Sequence, residues 1–526
     1  MEKRVLIAIV LSIVIIMGYN AYIGKYMPQK PVVVEQAVTK EAVAPTLENT
    51  IQQAPLAKEE TIEVETATQK IVLSNLGGAV KEIYLKQYNN DSQKGHYALV
   101  NITQGALPLS AEDVDPLVKS AQSAYSYEKQ KDRVIFRLKA EDSTEIIKEY
   151  IFSNSRYDIE LHITIKNLST KTKEYKYKVA GGANISIGSP LDERYILADA
   201  YMGGKLTSIS EAKARKANKV IIAGDAQWAA LKNRYFAMIL KPFDKVDSVE
   251  VSASLDKKEI ATKINMAPFS VDAGAQVKQK FLFYAGPMEE KLLKQYGQNF
   301  EKVINYGMLD GICKLLMKML RFFHVVSRNW GLAIILLTIT VGLLLYPLTY
   351  KSFTSMKSLQ QLQPKIENIR KEFKNDPQKM NKEIMELYKK HKANPLGGCL
   401  PLILQMPIYI ALYQLLIKSI ELREANFLWI KDLAQPDRIY QFKNALPLIG
   451  NDINLLPVLT MAVMIAQQKV SAPGKSGDET QKAMAVIMPI MILVLFYNFP
   501  SGFVIYFLTS SIVSTLIQYK IMKKTS

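Results

Sequence analysis

The chain has 526 residues, of which 48% are hydrophobic and 22% are charged, so it combines lipid-soluble and water-soluble stretches in several domains. Its 67 Lys and Arg against 49 Asp and Glu give a net charge of +18, which favours an anionic partner such as lipid headgroups or RNA. Two cysteines exclude a disulfide scaffold, and four His without a cluster at ligand spacing predict no metal and no cofactor.

The N-terminal region predicts a membrane anchor followed by a tether. Lys3-Arg4 precedes an apolar run that starts at Val5, and such a basic start keeps the N-terminus in the cytoplasm. A cleaved signal peptide is the alternative, but no Ala-x-Ala site follows, so we predict an uncleaved transmembrane anchor over 1–27. Residues 28–68 are rich in Pro, Val, Ala, Glu and Thr without a sustained apolar period, and predict a disordered periplasmic tether.

Residues 69–290 alternate apolar and polar side chains over short runs such as 70–73 and 157–165, with glycine-containing turns between them. This pattern predicts a β-sandwich domain. The domain follows an anchor with a cytoplasmic N-terminus, so we place it in the periplasm. Residues 291–329 predict a linker and an amphipathic helix that lies along the membrane surface; a helix packed on the β domain is the alternative.

The last part of the chain, 330–526, predicts a core of five further transmembrane helices. Between the first and second, 351–394 carries eleven Lys or Arg against five acids and predicts a helical hairpin in the cytoplasm. With the anchor, we predict an α+β membrane protein of six spans with both termini in the cytoplasm. The five spans run from about 330 to 350, 396 to 417, 453 to 467, 483 to 499 and 503 to 518.

The five spans contain no Asp, Glu, Lys, Arg or His. Proton-coupled and ion-coupled transporters need such groups at membrane depth, which disfavours a pump. An intramembrane nucleophile would need a base within hydrogen-bond reach, so we also predict that the chain is not an enzyme.

Uncharged polar side chains recur in three of the spans at helical spacing. On spacing alone, we favour hydrogen bonds between packed helices, and a polar cavity is the alternative. The residues are Thr338, Gly342 and Tyr346 in the first span, Gln405, Tyr409 and Tyr413 in the second, and Tyr506, Ser510, Ser514 and Gln518 in the last.

An ordered series of motifs over about 308–519 closely resembles the YidC family of membrane protein insertases. The domain that precedes them is similar to the Gram-negative form of the family, in which it is periplasmic. The motifs include Asn329-Trp330-Gly331, Tyr346-Pro347-Leu348-Thr349, Asn394-Pro395-Leu396-Gly397-Gly398-Cys399, Gln405-Met406-Pro407-Ile408 and Phe499-Pro500-Ser501-Gly502.

The resemblance implies that the five spans surround a hydrated groove, open to the cytoplasm and to lipid, in the inner membrane of a bacterium. A short polar segment of a substrate enters the groove while its apolar segment slides along the groove wall. The family implies insertion of nascent membrane proteins, alone or beside the Sec translocon as a folding chaperone. The groove residues implied are Thr338, Gly342, Gln405, Tyr409, Tyr413, Tyr506, Phe507 and Ser510.

The chain departs from the family at two positions in this groove. Gly342 stands where many relatives have an arginine, and Phe507 stands at a site that is often Tyr. Charged tails of substrates must then be attracted by polar groups, water and lysines at the cytoplasmic edge. The basic hairpin also favours contact with anionic lipid or the ribosome. The residues expected at this cytoplasmic contact with substrate or ribosome are Lys351, Lys357, Met356, Met380 and Met385.

Two alternative functions stay open at this point. A small-solute transporter or channel would need an aqueous path that opens on both sides of the membrane. A membrane-anchored periplasmic scaffold would use its spans only as anchors, so deleting the β domain would abolish its function.

Overall fold

The structure is a computed structural model that describes residues 58–90, 93–102, 107–114, 123–140, 143–186, 192–253, 260–391, 400–446, 450–471 and 479–523. The chain divides into two compact units between Ile304 and Asn305. The predicted anchor over 1–27 and the predicted tether up to residue 57 lie outside the described residues.

The first unit is built from strands in which buried and more exposed side chains alternate, because successive side chains of a strand point to opposite faces. In β8, every second side chain from Thr144 to Phe152 is buried. The strands described in this unit are β1 (Thr61–Glu65), β2 (Gln69–Ser74), β3 (Ala79–Asn90), β4 (Gln93–Asn101), β5 (Ala111–Glu112), β6 (Ser126–Lys129), β7 (Arg133–Lys139), β8 (Thr144–Phe152), β9 (Asp158–Asn167), β10 (Lys173–Tyr175), β11 (Lys178–Ala183), β12 (Leu197–Met202), β13 (Lys205–Ser210), β14 (Lys219–Ala223), β15 (Trp228–Lys232), β16 (Phe236–Pro242), β17 (Val246–Ala253), β18 (Ile260–Met266), β19 (Phe269–Val271) and β20 (Gln276–Pro287).

Antiparallel pairing joins these strands into a nine-stranded, a five-stranded and a four-stranded sheet, with a small pair of β10 and β19. The nine-stranded sheet has the order β13-β12-β15-β16-β20-β9-β8-β7-β6, and the five-stranded sheet has the order β14-β17-β18-β11-β5. In the register of β8 with β9, buried Ile146 lies opposite buried Ile165. The register therefore keeps apolar side chains together on one face.

The two larger sheets approach each other closely at a glycine of β11. A Cβ atom on Gly182 would lie 2.7 Å from the Cβ of Leu231 on β15 and 3.3 Å from the Cβ of Met238 on β16. A side chain at this position would force the sheets apart. The described strands thus form a face-to-face sandwich, which agrees with the prediction from the alternating pattern.

Both predicted limits of the β domain are too narrow. Strand β1 pairs with β2 and buries Ile62 and Val64, so the tether prediction is wrong for the stretch that begins at Thr61. Apolar and polar residues alternate over only five positions here, and the neighbouring sequence has the composition of a tether, so the strand is not evident from the sequence. At the other end, the predicted linker from 291 packs on the sheet.

The C-terminal end of this unit is held by an aromatic core. After helix α2 (Glu290–Lys294), a 3-10 helix at Phe300–Val303 buries Phe300 beside Trp228, with ring centroids 6.3 Å apart. The buried Lys232 ammonium donates to the Val303 carbonyl at 2.7 Å and lies 2.5 Å from a carboxylate oxygen of Asp199. This segment is therefore part of the β unit and ends at Ile304.

The second unit is mainly helical. Alongside the helices, a two-stranded hairpin pairs β21 (Tyr440–Leu446) with β22 (Gly450–Ile453). The described α-helices of this unit are α3 (Asp310–Ser327), α4 (Trp330–Glu372), α5 (Pro377–Lys390), α6 (Leu400–Lys418), α7 (Leu455–Ser471), α8 (Glu479–Phe496) and α9 (Ser501–Lys523). The first unit also contains the short helix α1 (Glu211–Ala217), and further 3-10 helices lie at Asp192–Tyr195, Gly307–Leu309 and Ile420–Leu422.

Helix α3 occupies the place of the predicted amphipathic helix, but two of its faces are apolar. Cys313, Leu316 and Leu320 are buried, and the Cys313 thiol donates to the Ala411 carbonyl of α6 at 3.3 Å. On another side, Phe322 and Val325 are exposed. The helix therefore packs within its own unit through one apolar face, and its second apolar face is exposed.

Helix α4 continues well beyond the predicted end of its span at residue 350. Its C-terminal part and α5 are the two arms of the predicted hairpin, and they meet through buried Leu362 and Ile366. Leu387 and Tyr388 of α5 are partly buried against this pair. The contact between the arms is thus small, because few apolar positions are available in this polar segment.

Two described stretches, Trp330–Leu359 and Ser501–Ile521, are long and apolar enough to cross a membrane. Leu455–Val470 and Val486–Phe496 are shorter apolar helices. The total of six spans stays a prediction, because the anchor lies outside the described residues.

Candidate functional site

Four polar side chains of α6 and α9 meet at the interface of these two helices. Gln405 and Tyr409 are one turn apart on α6, and Tyr506 and Ser510 are one turn apart on α9. The Gln405 amide donates to the Ser510 hydroxyl at 3.2 Å, and the Tyr409 hydroxyl lies 3.5 Å from the same oxygen. We call these four residues the polar cluster.

The Tyr506 side chain leaves unused hydrogen-bonding capacity in this cluster. It is fully buried, and its ring packs edge to face on Tyr409 with centroids 5.7 Å apart. Its hydroxyl lies near the Gln405 amide without forming a well-aligned hydrogen bond. A buried hydroxyl without a good partner favours the entry of a water molecule or of a polar group from another chain.

Aromatic rings close one end of this site, next to the turn between α8 and α9. Phe507 lies 5.6 Å from Tyr409 and 4.8 Å from Phe496, measured between ring centroids. Tyr413 lies 5.2 Å from Phe499 and 5.6 Å from Phe503. We call the group of Tyr413, Phe496, Phe499, Phe503 and Phe507 the aromatic cluster. Tyr413 and Phe507 thus contribute ring packing here.

The two groove candidates on α4 make different contacts. Thr338 is 3% exposed, and its hydroxyl donates to the Ile334 carbonyl of its own helix at 2.7 Å. A Cβ atom on Gly342 would lie 3.3 Å from a methyl carbon of Val513, so α4 passes close to α9 at this glycine. None of the described hydrogen bonds joins Thr338 to the polar cluster.

The residues expected at the cytoplasmic contact are spread along the hairpin. Lys351 is exposed on α4, and Met385 is 51% exposed on α5. Lys357 and Met380 are partly exposed, while the side chain of Met356 lies outside the description. These side chains form a surface, and no compact pocket is built from them within the described part of the hairpin.

The segment Phe427–Asp437 between α6 and α7 was missed in the sequence, and it ties together the starts of two helices. Asp437 accepts hydrogen bonds from the backbone of Leu455 at 2.8 Å and of Leu456 at 3.0 Å, at the start of α7. Ser501, at the start of α9, donates its backbone N–H to the Gln435 carbonyl at 2.8 Å. We call Phe427–Asp437 the cap segment. The sequence gives little sign of this role, because the capping residue Asp437 lies many positions before Leu455, where α7 begins.

Two family models match nearly the whole described chain. The model of the YidC periplasmic domain matches residues 61–319, and the model of the 60Kd inner membrane protein matches residues 322–526. The boundary between the two matches lies within α3.

Relatives that align with most of this chain are named membrane protein insertase YidC. The membrane protein insertase YidC of Geotalea uraniireducens is 31% identical over 99% of both chains. That of Endomicrobium trichonymphae is 33% identical over 89% of this chain and 86% of its own. A crystal structure of an active YidC insertase with its first transmembrane domain resolved aligns with 88% of this chain and 93% of its own at 20% identity and a TM-score of 0.40. On the strength of the sequence matches, this chain belongs to the YidC family of membrane protein insertases.

Proposed function

We propose that this chain inserts other membrane proteins into the inner membrane and assists their folding there. The observation that carries the proposal is the polar cluster, which places two hydroxyls and an amide between apolar helices while the buried Tyr506 hydroxyl has no well-aligned partner. Such a site suits a short polar segment of another chain, because its groups can accept and donate hydrogen bonds away from water.

The hydrogen bonds within the cluster are weak enough to be exchanged. Side-chain hydrogen bonds between membrane helices contribute about 0.6 kcal/mol each on average. A backbone amide of a substrate can therefore replace the bond between Gln405 and Ser510 at little cost. The exposed apolar side chains of α4, such as Leu343 and Leu344, offer a surface for the apolar part of the substrate.

The aromatic cluster supports a groove with a single opening. It fills the end of the site next to the turn between α8 and α9, so water would enter from the opposite end of these helices. We infer that the open end faces the cytoplasm, with both termini and the basic hairpin on that side and the β unit in the periplasm. Nascent membrane proteins, the ribosome and the Sec translocon are the partners that fit this arrangement.

The test is insertion of one radiolabelled small membrane protein into liposomes that contain the full chain. Ser510→Ala removes the hydroxyl that both Gln405 and Tyr409 approach, and insertion should fall several-fold. Thr515→Val is the matched control, because the Thr515 hydroxyl donates to the Ser511 carbonyl of its own helix at 2.7 Å. Equal activity of both variants and wild type would contradict a role for the polar cluster.

The same liposomes separate an insertase from a small-solute channel. A channel would release a trapped ion or sugar whether or not a substrate is present. We expect the wild-type liposomes to hold these solutes, because the aromatic cluster leaves one end of the site filled. Steady release together with failed insertion would favour the channel.

A further inference from the structure

The tip of the cap segment combines two unfavourable features at one residue. Phe427 and Ile430 exchange two backbone hydrogen bonds of 2.9 Å, so Leu428 and Trp429 form a two-residue turn between them. Leu428 has a φ of 52°, in the left-handed region that suits glycine and is costly for a branched side chain. Its side chain is also 75% exposed. Neither burial nor local backbone preference explains a leucine at this place.

Trp429 is presented at the same tip in a fixed orientation. Its indole N–H donates to a carboxylate oxygen of Asp437 at 3.3 Å, while 41% of the residue stays exposed. The polar atom of the ring is therefore satisfied inside the cap segment, and the apolar part of the ring faces outward. A turn held by three hydrogen bonds thus displays two large apolar side chains.

The position of the turn indicates what these side chains meet. Phe427 packs on Gly331 in the first turn of α4, and the Asn329 side chain donates to the Asn426 carbonyl at 3.3 Å. The next residue of α4, Leu332, is exposed, and it lies in the first turn of Trp330–Leu359, the apolar stretch that is long enough to cross a membrane. The turn therefore lies at the end of a span, where tryptophan is enriched because one part of its ring is apolar and another is polar.

We propose that the Leu428–Trp429 turn is a lipid anchor, which inserts into the boundary between headgroups and acyl chains of the bilayer leaflet at this end of α4. Leu332 is exposed one residue after Gly331, on which Phe427 packs, so the same leaflet would cover the turn and this start of the span. Through Asp437 and Gln435, the anchor would fix the starts of α7 and α9 at one depth in the membrane.

The first test uses Trp429 as its own depth probe in the full chain. The protein is reconstituted in phosphatidylcholine and phosphatidylglycerol vesicles whose acyl chains are brominated near the headgroup, and iodide serves as the quencher from water. The difference in emission between Trp330→Phe and Trp330→Phe/Trp429→Phe isolates the Trp429 signal, because Trp228 lies fully buried in the β unit. We expect bromine to remove at least half of that signal and iodide to remove little.

The second test separates the anchor from the strain. In Leu428→Gly, the glycine suits the positive φ, so the unfolding temperature in detergent should be equal to or above that of wild type. The same change removes the apolar side chain at the tip, so bromine quenching of Trp429 should fall at least twofold. Glu424→Gly is the matched control, since Glu424 has a φ of 58° in the same loop but carries no apolar side chain. Its quenching should not change.

Three outcomes would overturn the anchor. Strong iodide quenching of Trp429 without bromine quenching would place the turn in water. Unchanged bromine quenching in Leu428→Gly would show that Leu428 does not hold the turn in lipid. Quenching by bromine that appears only after a substrate protein is added would assign the turn to substrate contact. All three outcomes are measured by quenching and not by insertion activity. Failure of the anchor can therefore be distinguished from failure of the proposed function.

Discussion

Lys148 should make the stability of the β unit depend on pH. This side chain is fully buried on β8, and its ammonium donates to the carbonyls of Gly77 at 2.9 Å, Gly78 at 2.7 Å and Leu109 at 2.6 Å. Burial disfavours the charged form and lowers the pKa of Lys148 from its ordinary value of 10.5 to about 7. Folding therefore changes the proton affinity of this amine.

The sign and size of the effect follow from proton linkage. Above about pH 7 the folded chain has released the Lys148 proton, whereas the unfolded chain keeps it until about pH 10.5. Because the unfolded state binds more protons in this window, stability rises with pH, by about 1.4 kcal/mol per pH unit. Lys148→Met lacks this titration. It also removes the donor to the Gly77 carbonyl, while the Gly78 and Leu109 carbonyls keep the Tyr150 hydroxyl, and the loss costs about 1 to 3 kcal/mol at pH 7. The difference between wild type and variant should then widen up to pH 9.

The assay is denaturant unfolding of the full chain in detergent at pH 7, 8 and 9, followed by the emission of Trp228. This ring is buried and stacks on Tyr201 at 5.2 Å, and Trp330→Phe/Trp429→Phe removes the other tryptophans. Lys139→Met, at an exposed position on β7, is the control and should keep the wild-type slope. Parallel pH profiles for wild type and Lys148→Met would refute the reasoning and show that the carbonyls keep Lys148 charged in the folded state.

Three further changes test the sandwich, the hairpin and the groove. Gly182→Ala should destabilise the β unit by about 1 to 3 kcal/mol in the same unfolding assay. Gly95→Ala is the control, because a Cβ atom there would meet open space, and it should leave the stability unchanged. Equal effects of the two variants would contradict the close contact between the sheets. Leu362→Ser should separate the hairpin arms and reduce insertion while the amount of folded protein in detergent stays constant; loss of folded protein would make the hairpin structural. If the groove holds water, Gly342→Arg should cost well below the roughly 2.5 to 3.5 kcal/mol of insertion free energy expected for Arg in lipid. Expression and thermal unfolding measure the effect, with Gly342→Leu as the control. Misfolding of both variants would show that Gly342 does not line the groove.

The spacing of the residues in the polar cluster is visible in the sequence because helix geometry is local. Residues four apart lie on the same face of a helix, so Gln405 with Tyr409 and Tyr506 with Ser510 are paired by spacing alone. Which helices face each other is a tertiary property, and the motif resemblance supplied it. The family and the absence of enzyme function agree with the insertase relatives of this chain.

Contacts between distant parts of the chain could not be predicted in this way. Asp437 caps the start of α7 from a loop that precedes a β hairpin, and the usual capping signal lies directly before its helix. The alternation of β8 places Lys148 on the buried face, but the carbonyls that its ammonium reaches belong to residues 39 to 71 positions away in the sequence. Strand β1 was missed because five alternating residues are too few to outweigh their surroundings.

The absence of charged side chains from the polar cluster has a physical consequence for the proposed groove. An ion at membrane depth is costly, so a site that must stay folded without a substrate is easier to build from hydroxyls and amides than from charges. Such groups bind weakly and release easily, because each hydrogen bond between membrane helices is worth about 0.6 kcal/mol. Among the described residues, Gln405, Tyr409, Tyr506 and Ser510 meet this requirement, with one hydroxyl left over. Under the proposed function, a substrate segment would enter by exchanging hydrogen-bond partners with this cluster, and it would leave into lipid without breaking an ion pair.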